Sequence, residues 1–392
     1  MVQIDKIIPG GQALATLDDG KKAFFWNALP GEIVENYEIT KQKSHFIEAI
    51  ATKISHPSKF RVEPKDTCYL STSPWQIIDW HYENQLKSEL VAEIFREHQI
   101  LINPPEVITD NNPYYYRNKM EYSLYYNHEL GKIQLAFHAR GSHRKVPITS
   151  SSIERPELFA AASQIVDDLN ARHEEARKYQ SLLLRCNQKG EVSGGLYENK
   201  KPHPTFSNLT DVILGQEYSY SPNGFFQINL PVYELALKEI KRHITTDQVL
   251  DLYAGVGTIG LSVARDKQLT LVEIDKSAFT EMAKNIVIED SAREPYNNIL
   301  GLLDKSENVL NHITSEQTVI LDPPRAGCER KLIDRLNEVQ PQTIIYLSCN
   351  PATQARDIKL LLDSYKITKV KTFNFFPRTP HIENLVILTK PA

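Results

Sequence analysis

Along the chain, apolar residues recur at every second position in some stretches and at every third or fourth in others. The first spacing predicts strands and the second helices. In residues 1–57 the strand spacing dominates. Ala23-Phe24-Phe25-Trp26 follows a turn at Asp18-Asp19-Gly20, Leu29-Pro30-Gly31-Glu32 makes another turn, and Phe46 to Ile54 alternates. Five short strands with Gly10-Gly11 as an earlier turn predict a small OB-like β-barrel. From Arg61 to Trp80 the pattern is weak, broken by Pro64 and Pro74. A long amphipathic helix is then expected over Tyr82 to His98, within broader limits of about 76–102, before Asn103-Pro104-Pro105 stops it. Glu157 to Tyr179 predicts a second helix, Leu182 to Cys186 a strand and Val232 to His243 a third helix.

Beyond Val249 the strands become continuous apolar runs, as expected where a parallel sheet is covered on both faces. They include Val249–Leu252, Leu269–Glu273, Gln317–Leu321, Thr343–Leu347, Ile367–Phe373 and Asn384–Thr389, with a helix over Ala352–Ser364. The expected architecture is α/β: an OB-like barrel over 1–57, a central α+β domain over 58–215, and a doubly wound Rossmann-like domain over 216–392. The long helix near 76–102 is expected to pack with the last of these.

Composition narrows the classes. No apolar run is long enough to span a bilayer. Met1-Val2-Gln3-Ile4-Asp5 lacks a basic segment followed by an apolar one, and four cysteines without close pairing fit a reducing compartment, so a cytoplasmic location is expected. The formal net charge of −4 means that nucleic-acid binding must use a local patch. One candidate patch is Tyr114 to Lys145, which holds six tyrosines and the cations Arg117, Lys119, Lys132, Arg140, Arg144 and Lys145 against only Glu121 and Glu129. Basic and aromatic side chains together attract phosphate and stack on bases, so RNA is the expected partner. Tyrosine's preference for strands is the plainer explanation of the same window. DNA and membrane partners are not expected, and a monomer is.

The chemistry concentrates at strand ends. Val249 to Leu261 reads as a strand, a tight turn with Gly255 and Gly257, and a helix start at Thr258, with an acid, Glu273, closing the next strand. Glycines let a backbone approach a bound cofactor, and the acid suits two ribose hydroxyls. The three-glycine dinucleotide fingerprint is absent, so the pattern looks like the S-adenosylmethionine version of the fold. The strand Gln317–Leu321 ends in Asp322-Pro323-Pro324-Arg325, a corner stiffened by its prolines. The strand Thr343–Leu347 delivers Ser348-Cys349-Asn350-Pro351. A Cys at such a corner is either a small buried hydrophobe or a nucleophile poised by the following helix. Glu383 stands just before the last strand. A helix cap is the other reading of Asp322, and a lone Glu in a loop such as Glu383 is usually a surface residue.

Taken in order, Asn223-Gly224-Phe225-Phe226-Gln227, Asp251 to Gly260, Asp322-Pro323-Pro324-Arg325-Ala326-Gly327, Ser348-Cys349-Asn350-Pro351 and His381-Ile382-Glu383-Asn384 resemble the RNA uracil-5-methyltransferase family. The N-terminal module resembles a TRAM domain. The resemblance implies transfer of a methyl group from S-adenosylmethionine to carbon 5 of a uridine in tRNA or ribosomal RNA, through a covalent cysteine adduct. It implies Cys349 as nucleophile and Glu383 as general base, with Gln227, Tyr253, Gly255, Gly257, Thr258, Glu273, Asp304 and Asp322 around the cofactor. For RNA contacts, Arg117, Lys119, Arg140, Arg144 and Lys145 are expected. Many TRAM-bearing relatives hold an iron–sulfur cluster on four cysteines. Here Cys68 stands alone, Ser150-Ser151-Ser152 occupies the region of a later ligand, and neither a cluster nor another metal is expected. Two other readings stay open: methylation of an exocyclic base amine, and a non-catalytic RNA-binding scaffold.

Overall fold

The structure is a computed structural model that describes residues 1–203, 206–287 and 298–391. Residues 1–57 form a six-stranded sheet in which Phe46–His56 lies between Ile33–Gln42 and Lys22–Trp26. Its alternation is strict where it matters: Ala13, Ala15, Ala23, Phe25, Ala49 and Ala51 are buried, and the residues between them face outward.

The predicted long helix is Trp80–Glu97, shorter than 76–102. Asp79 caps it by accepting hydrogen bonds from the His81 and Tyr82 amides. Pro74–Ile77 forms a separate 3-10 turn, and Gln99 takes a left-handed φ of 62° just beyond the end. The second helix is shorter than expected too. It runs Pro156–Ala171, and His173 at φ 55° breaks the path before a 3-10 turn at Ala176–Lys178. That helix covers a second six-stranded sheet, with Lys119–Asn127 between Lys132–His138 and Ser181–Cys186.

The largest sheet has eight strands in the order Ile299–Leu303, Gln268–Glu273, Gln248–Leu252, Gln317–Leu321, Thr343–Ser348, Glu383–Thr389, Lys366–Phe373 and Val107–Ile108. The first five are parallel, and Glu383–Thr389 runs antiparallel to both neighbours. Alternate residues of each strand enter different cores. Leu250, Leu252, Val319, Leu321, Ile344 and Tyr346 pack under the helices Trp80–Glu97, Arg330–Val339 and Pro351–Leu361. Val249, Ile320, Ile345 and Leu347 pack under Leu230–Arg242, Thr258–Ala264 and Lys276–Val287. This is a doubly wound sheet, and its strand order reverses between Gln248–Leu252 and Gln317–Leu321. Ligands bind such sheets outside the carboxyl ends near that reversal.

The N-terminal sheet has no isolated core, because its apolar face is continuous with one face of the large sheet through Trp75, Ile77 and Ile78. Trp75 donates its indole N–H to the Gly11 carbonyl, 3.0 Å away. Gly11, at φ 89°, leaves no room for a side chain: a Cβ there would lie 2.1 Å from Pro380. The loop that leads to Glu383 is thus packed against the first module.

Candidate active site

Strand register explains why Cys349 and Glu383 meet. Ser348 pairs with Asn384 across the antiparallel boundary, so the residue after Ser348 and the residue before Asn384 lie at the same end of neighbouring strands. Asn350 then serves two neighbours. Its side-chain oxygen accepts from the Ala352 amide at 3.2 Å and caps the Pro351–Leu361 helix, while its amide donates to the Arg325 carbonyl at 2.9 Å. Thr353 donates its hydroxyl to the same carbonyl at 3.2 Å. The Asp322–Arg325 corner and the Cys349 corner are one hydrogen-bonded unit.

Electrostatics at this unit run against the expected easy thiolate. Burial is the main cause that pushes the Cys349 thiol up to about 11; Glu383 and Asp322 add to it, and Arg325 opposes it by charge and hydrogen bond. Glu383, 4% exposed, is held well above the ordinary carboxyl range by burial and then by Asp322. Burial raises Asp322 to about 7. His381, beside the ring of Phe376, is lowered to about 4, first by burial and then by surrounding cations. The helix N-terminus and Arg325 are present as expected from the sequence, but desolvation beside two acids outweighs them.

The glycine turn lies at the opening of the Thr258–Ala264 helix, with Gly255 at φ 59° and Gly257 at φ 86°. A Cβ on Gly255 would meet nothing within 4 Å, whereas one on Gly257 would crowd Leu261 and Met282 at 2.9 and 3.0 Å. Gly255 therefore faces open space and Gly257 permits close packing. Glu273 accepts from the Gly255 amide at 2.8 Å and from the Asp275 amide at 2.6 Å. Asp304 is exposed, donates its amide to the Glu273 carbonyl and takes hydrogen bonds from Asn308 and the Lys305 amide, which hold its carboxyl below the usual range. Thr258 is buried in the first helical turn, and Gln227 is nearly so. Tyr253 takes a left-handed φ of 64°, and its hydroxyl donates to Glu307 at 2.5 Å, away from the opening.

The basic window differs most from its expected form. Tyr116 and Tyr122 are core residues and provide no stacking surface. Arg140 lies with its guanidinium 4.2 Å from the Trp26 ring and donates to the Leu70 carbonyl, so it joins the first two sheets. Lys119 donates to the carbonyls of Asn223 and Gly224 at 3.1 and 3.0 Å, and burial lowers it to about 8. Arg117 donates to the Lys119 carbonyl at 3.0 Å and Lys145 to that of Leu124 at 2.7 Å. Arg144 is exposed. Interleaved cations and tyrosines thus mark a junction between modules as much as a surface.

Sequence reading missed the clamp on the loop before Glu383. Lys87, fully buried, donates to the Asn374 side chain at 2.7 Å and the Phe376 carbonyl at 3.1 Å, and pairs with Glu83 at 3.1 Å. Glu83 accepts from the Arg378 amide at 3.0 Å, and Tyr116 donates to the Pro377 carbonyl at 3.0 Å. The only sequence signal was an i,i+4 acid–base pair on the apolar stripe of a helix. At Cys68 the sulfur lies 4.0 Å from the Ser150 carbonyl, and Ser152 donates amide and hydroxyl to Asp66. Among the described residues, no group of three or more His, Cys, Asp or Glu is placed to hold a metal ion. Nor is any described helix long and apolar enough to cross a membrane.

Residues 213–391 match the family described as tRNA (uracil-5-)-methyltransferase. The chain is similar to an uncharacterized RNA methyltransferase of Prochlorococcus marinus, 29% identical over 92% of this chain and 99% of the relative. Another of Enterococcus faecalis is 27% identical over 99% and 96%. In fold it resembles the tRNA (uracil-54, C5)-methyltransferase of Pyrococcus abyssi, solved with S-adenosyl-L-homocysteine, at a TM-score of 0.74 and 22% identity, covering 99% of this chain and 100% of that one.

Proposed function

Since residues 213–391 match the tRNA (uracil-5-)-methyltransferase family, we propose that the chain methylates carbon 5 of a uridine in tRNA or ribosomal RNA, with Cys349 as nucleophile, Glu383 as base and S-adenosylmethionine as donor. The observation that carries this reading is the junction of strand ends that brings a half-buried thiol beside two carboxyl groups with raised pKa. Methylation of an exocyclic amine needs no thiol there.

The residues at the carboxyl ends fit the donor. Glu273 suits ribose hydroxyls, and Ile274 and Leu303, apolar yet 63% and 46% exposed at neighbouring strand ends, would give a flat base an apolar seat. Gln227, the Gly255–Gly257 turn, Thr258, Asp304 and Asp322 complete the set that would hold it. When bound, S-adenosylmethionine supplies an electrophilic methyl group. The Cys349 thiol loses its proton to solvent, and the thiolate adds to carbon 6 of uracil, which moves electron density to carbon 5. After methylation, Glu383 takes the carbon-5 proton, and the carbon–sulfur bond breaks to release the product and the thiolate. Burial makes the Glu383 carboxylate a stronger base than an exposed one. The uridine must leave its stack to expose carbon 6. On the RNA side, exposed Arg144 is a cation available for phosphate, with Arg117, Lys119 and Lys145 shaping the surface behind it.

The test is a tRNA or ribosomal RNA substrate made with 5-fluorouridine and incubated with labelled S-adenosylmethionine. A labelled complex at Cys349 that survives denaturing electrophoresis is expected, because fluorine at carbon 5 blocks elimination. Labelled RNA product without that complex would favour the amine reading, and no labelling the scaffold reading.

A further inference from the structure

The Asn229 side chain is 1% exposed, and neither of its amide atoms has a hydrogen-bond partner. It precedes the thirteen-residue helix Leu230–Arg242, at a position where Asn commonly caps by accepting from the first turn, yet it makes no such bond. Leaving buried polar groups unpaired destabilises a fold. The backbone around it is firmly placed. Asn118 donates its amide to the Ile228 carbonyl at 3.2 Å and its side chain to that of Gln227 at 3.1 Å, and Tyr233 donates its amide to the Asn229 carbonyl at 3.1 Å.

The first turn of this helix faces the carboxyl ends of the central strands. Tyr233, one turn after Asn229, feels Asp322 most among charged neighbours, then Asp251, with Glu383 last. Leu230 and Tyr233 of this turn lie in the same core as Val249 and Ile320 of the strands Gln248–Leu252 and Gln317–Leu321, and as Ala254 and Val256 of the glycine turn. Asp251 carries another unpaired atom: its Oδ2 accepts from the Gly260 amide at 2.8 Å, while its Oδ1 has no partner. Glu273, Ile274 and Leu303 would take the nucleoside of the donor, which leaves its zwitterionic end to be placed. A carboxamide offers an NH2 donor group and an oxygen acceptor. A helix N-terminus favours a carboxylate, and nearby acids favour an ammonium.

We propose that the Asn229 carboxamide binds the α-amino-acid end of the methyl donor, as a positioning residue for the methyl group. This rests on the reading that the site takes S-adenosylmethionine.

The test compares wild type with Asn229→Leu, which keeps the volume and removes both unpaired atoms. Binding of S-adenosylhomocysteine and of 5′-methylthioadenosine, which lacks the amino-acid end, is measured by calorimetry on the full chain without RNA, and melting temperature is recorded ligand-free. The expected result is at least a tenfold loss for S-adenosylhomocysteine, no change for 5′-methylthioadenosine, and an unchanged or higher melting temperature. Equal S-adenosylhomocysteine affinity in the two proteins overturns the proposal. Equal losses for both ligands overturn the assignment to the amino-acid end. A lower melting temperature shows that Asn229 is bonded within the fold and overturns it as well. Failure of the wild-type protein to bind S-adenosylhomocysteine would instead defeat the functional reading beneath it.

Discussion

Cys349 and Glu383 depend on each other's protonation. Burial and the two neighbouring carboxyls raise the thiol to about 11, so in the free protein it is protonated at neutral pH. Its thiolate fraction then grows tenfold per pH unit well past pH 8.5, where an ordinary cysteine levels off. The alkylation rate of Cys349 by iodoacetamide, read by peptide mass spectrometry, is expected to climb from pH 7 to 9 without a plateau. A plateau below pH 8.5 would show a thiolate already stabilised. Cys68, Cys186 and Cys328 are buried and give an internal contrast. Glu383→Gln keeps the size of the side chain and removes the base. In the proposed mechanism addition and methylation precede proton loss, so the variant should accumulate one equivalent of a covalent adduct carrying the donor's methyl label. Free methylated RNA at the normal rate, or no labelled adduct, would remove Glu383 from that role.

Among the elements, the helix Trp80–Glu97 and the loop Asn374–Ile382 form one mechanical unit through Glu83, Lys87 and Arg378. A buried cation keeps its charge only with such partners, and here they are backbone and side-chain groups of the loop that leads to Glu383. The sequence showed the helix but not the loop's partners, because periodicity describes one element at a time. The same limit affected Arg140 and Arg144, which look alike in the sequence. Arg140→Ala should lower the melting temperature, since it removes the Trp26 and Leu70 contacts, and should leave the salt dependence of RNA binding nearly unchanged. Arg144→Ala should leave the melting temperature unchanged and flatten the plot of log affinity against log salt by about 0.7–0.9. Filter binding at several salt concentrations separates the two. Identical slopes for wild type and Arg144→Ala would take this residue out of the RNA interface.

For the whole molecule, three buried carboxyls set a pH trend. Asp251 is raised to about 8, and Asp322 and Glu154 to about 7, in each case chiefly by burial. In the unfolded chain these groups release their protons near pH 4, so between about pH 4 and 8 they and the raised Glu383 keep protons in the native state that the unfolded chain has lost, which outnumbers the opposite effect of the lowered His381. Stability then falls as pH rises through that window. The ligand-free melting temperature should be higher at pH 6 than at pH 8 and should move the other way from a protein whose carboxylates are ion-paired. A melting temperature that rises from pH 6 to 8 would contradict these protonation states. Six of the eight strands of the doubly wound sheet, and the place of the Gly255–Gly257 turn, Asp322, Cys349 and Glu383 at strand ends, were legible along the chain, because alternation, apolar runs and glycine or proline corners are local; the edge strands Val107–Ile108 and Ile299–Leu303 were not. The pairing of Ser348 with Asn384, the use of Arg140 and Lys119 in contacts between modules, and the partial burial of a thiol near two acids exist only in the folded chain. Register, desolvation and hydrogen-bond partners belong to pairs of residues far apart in the chain, and no local pattern records them.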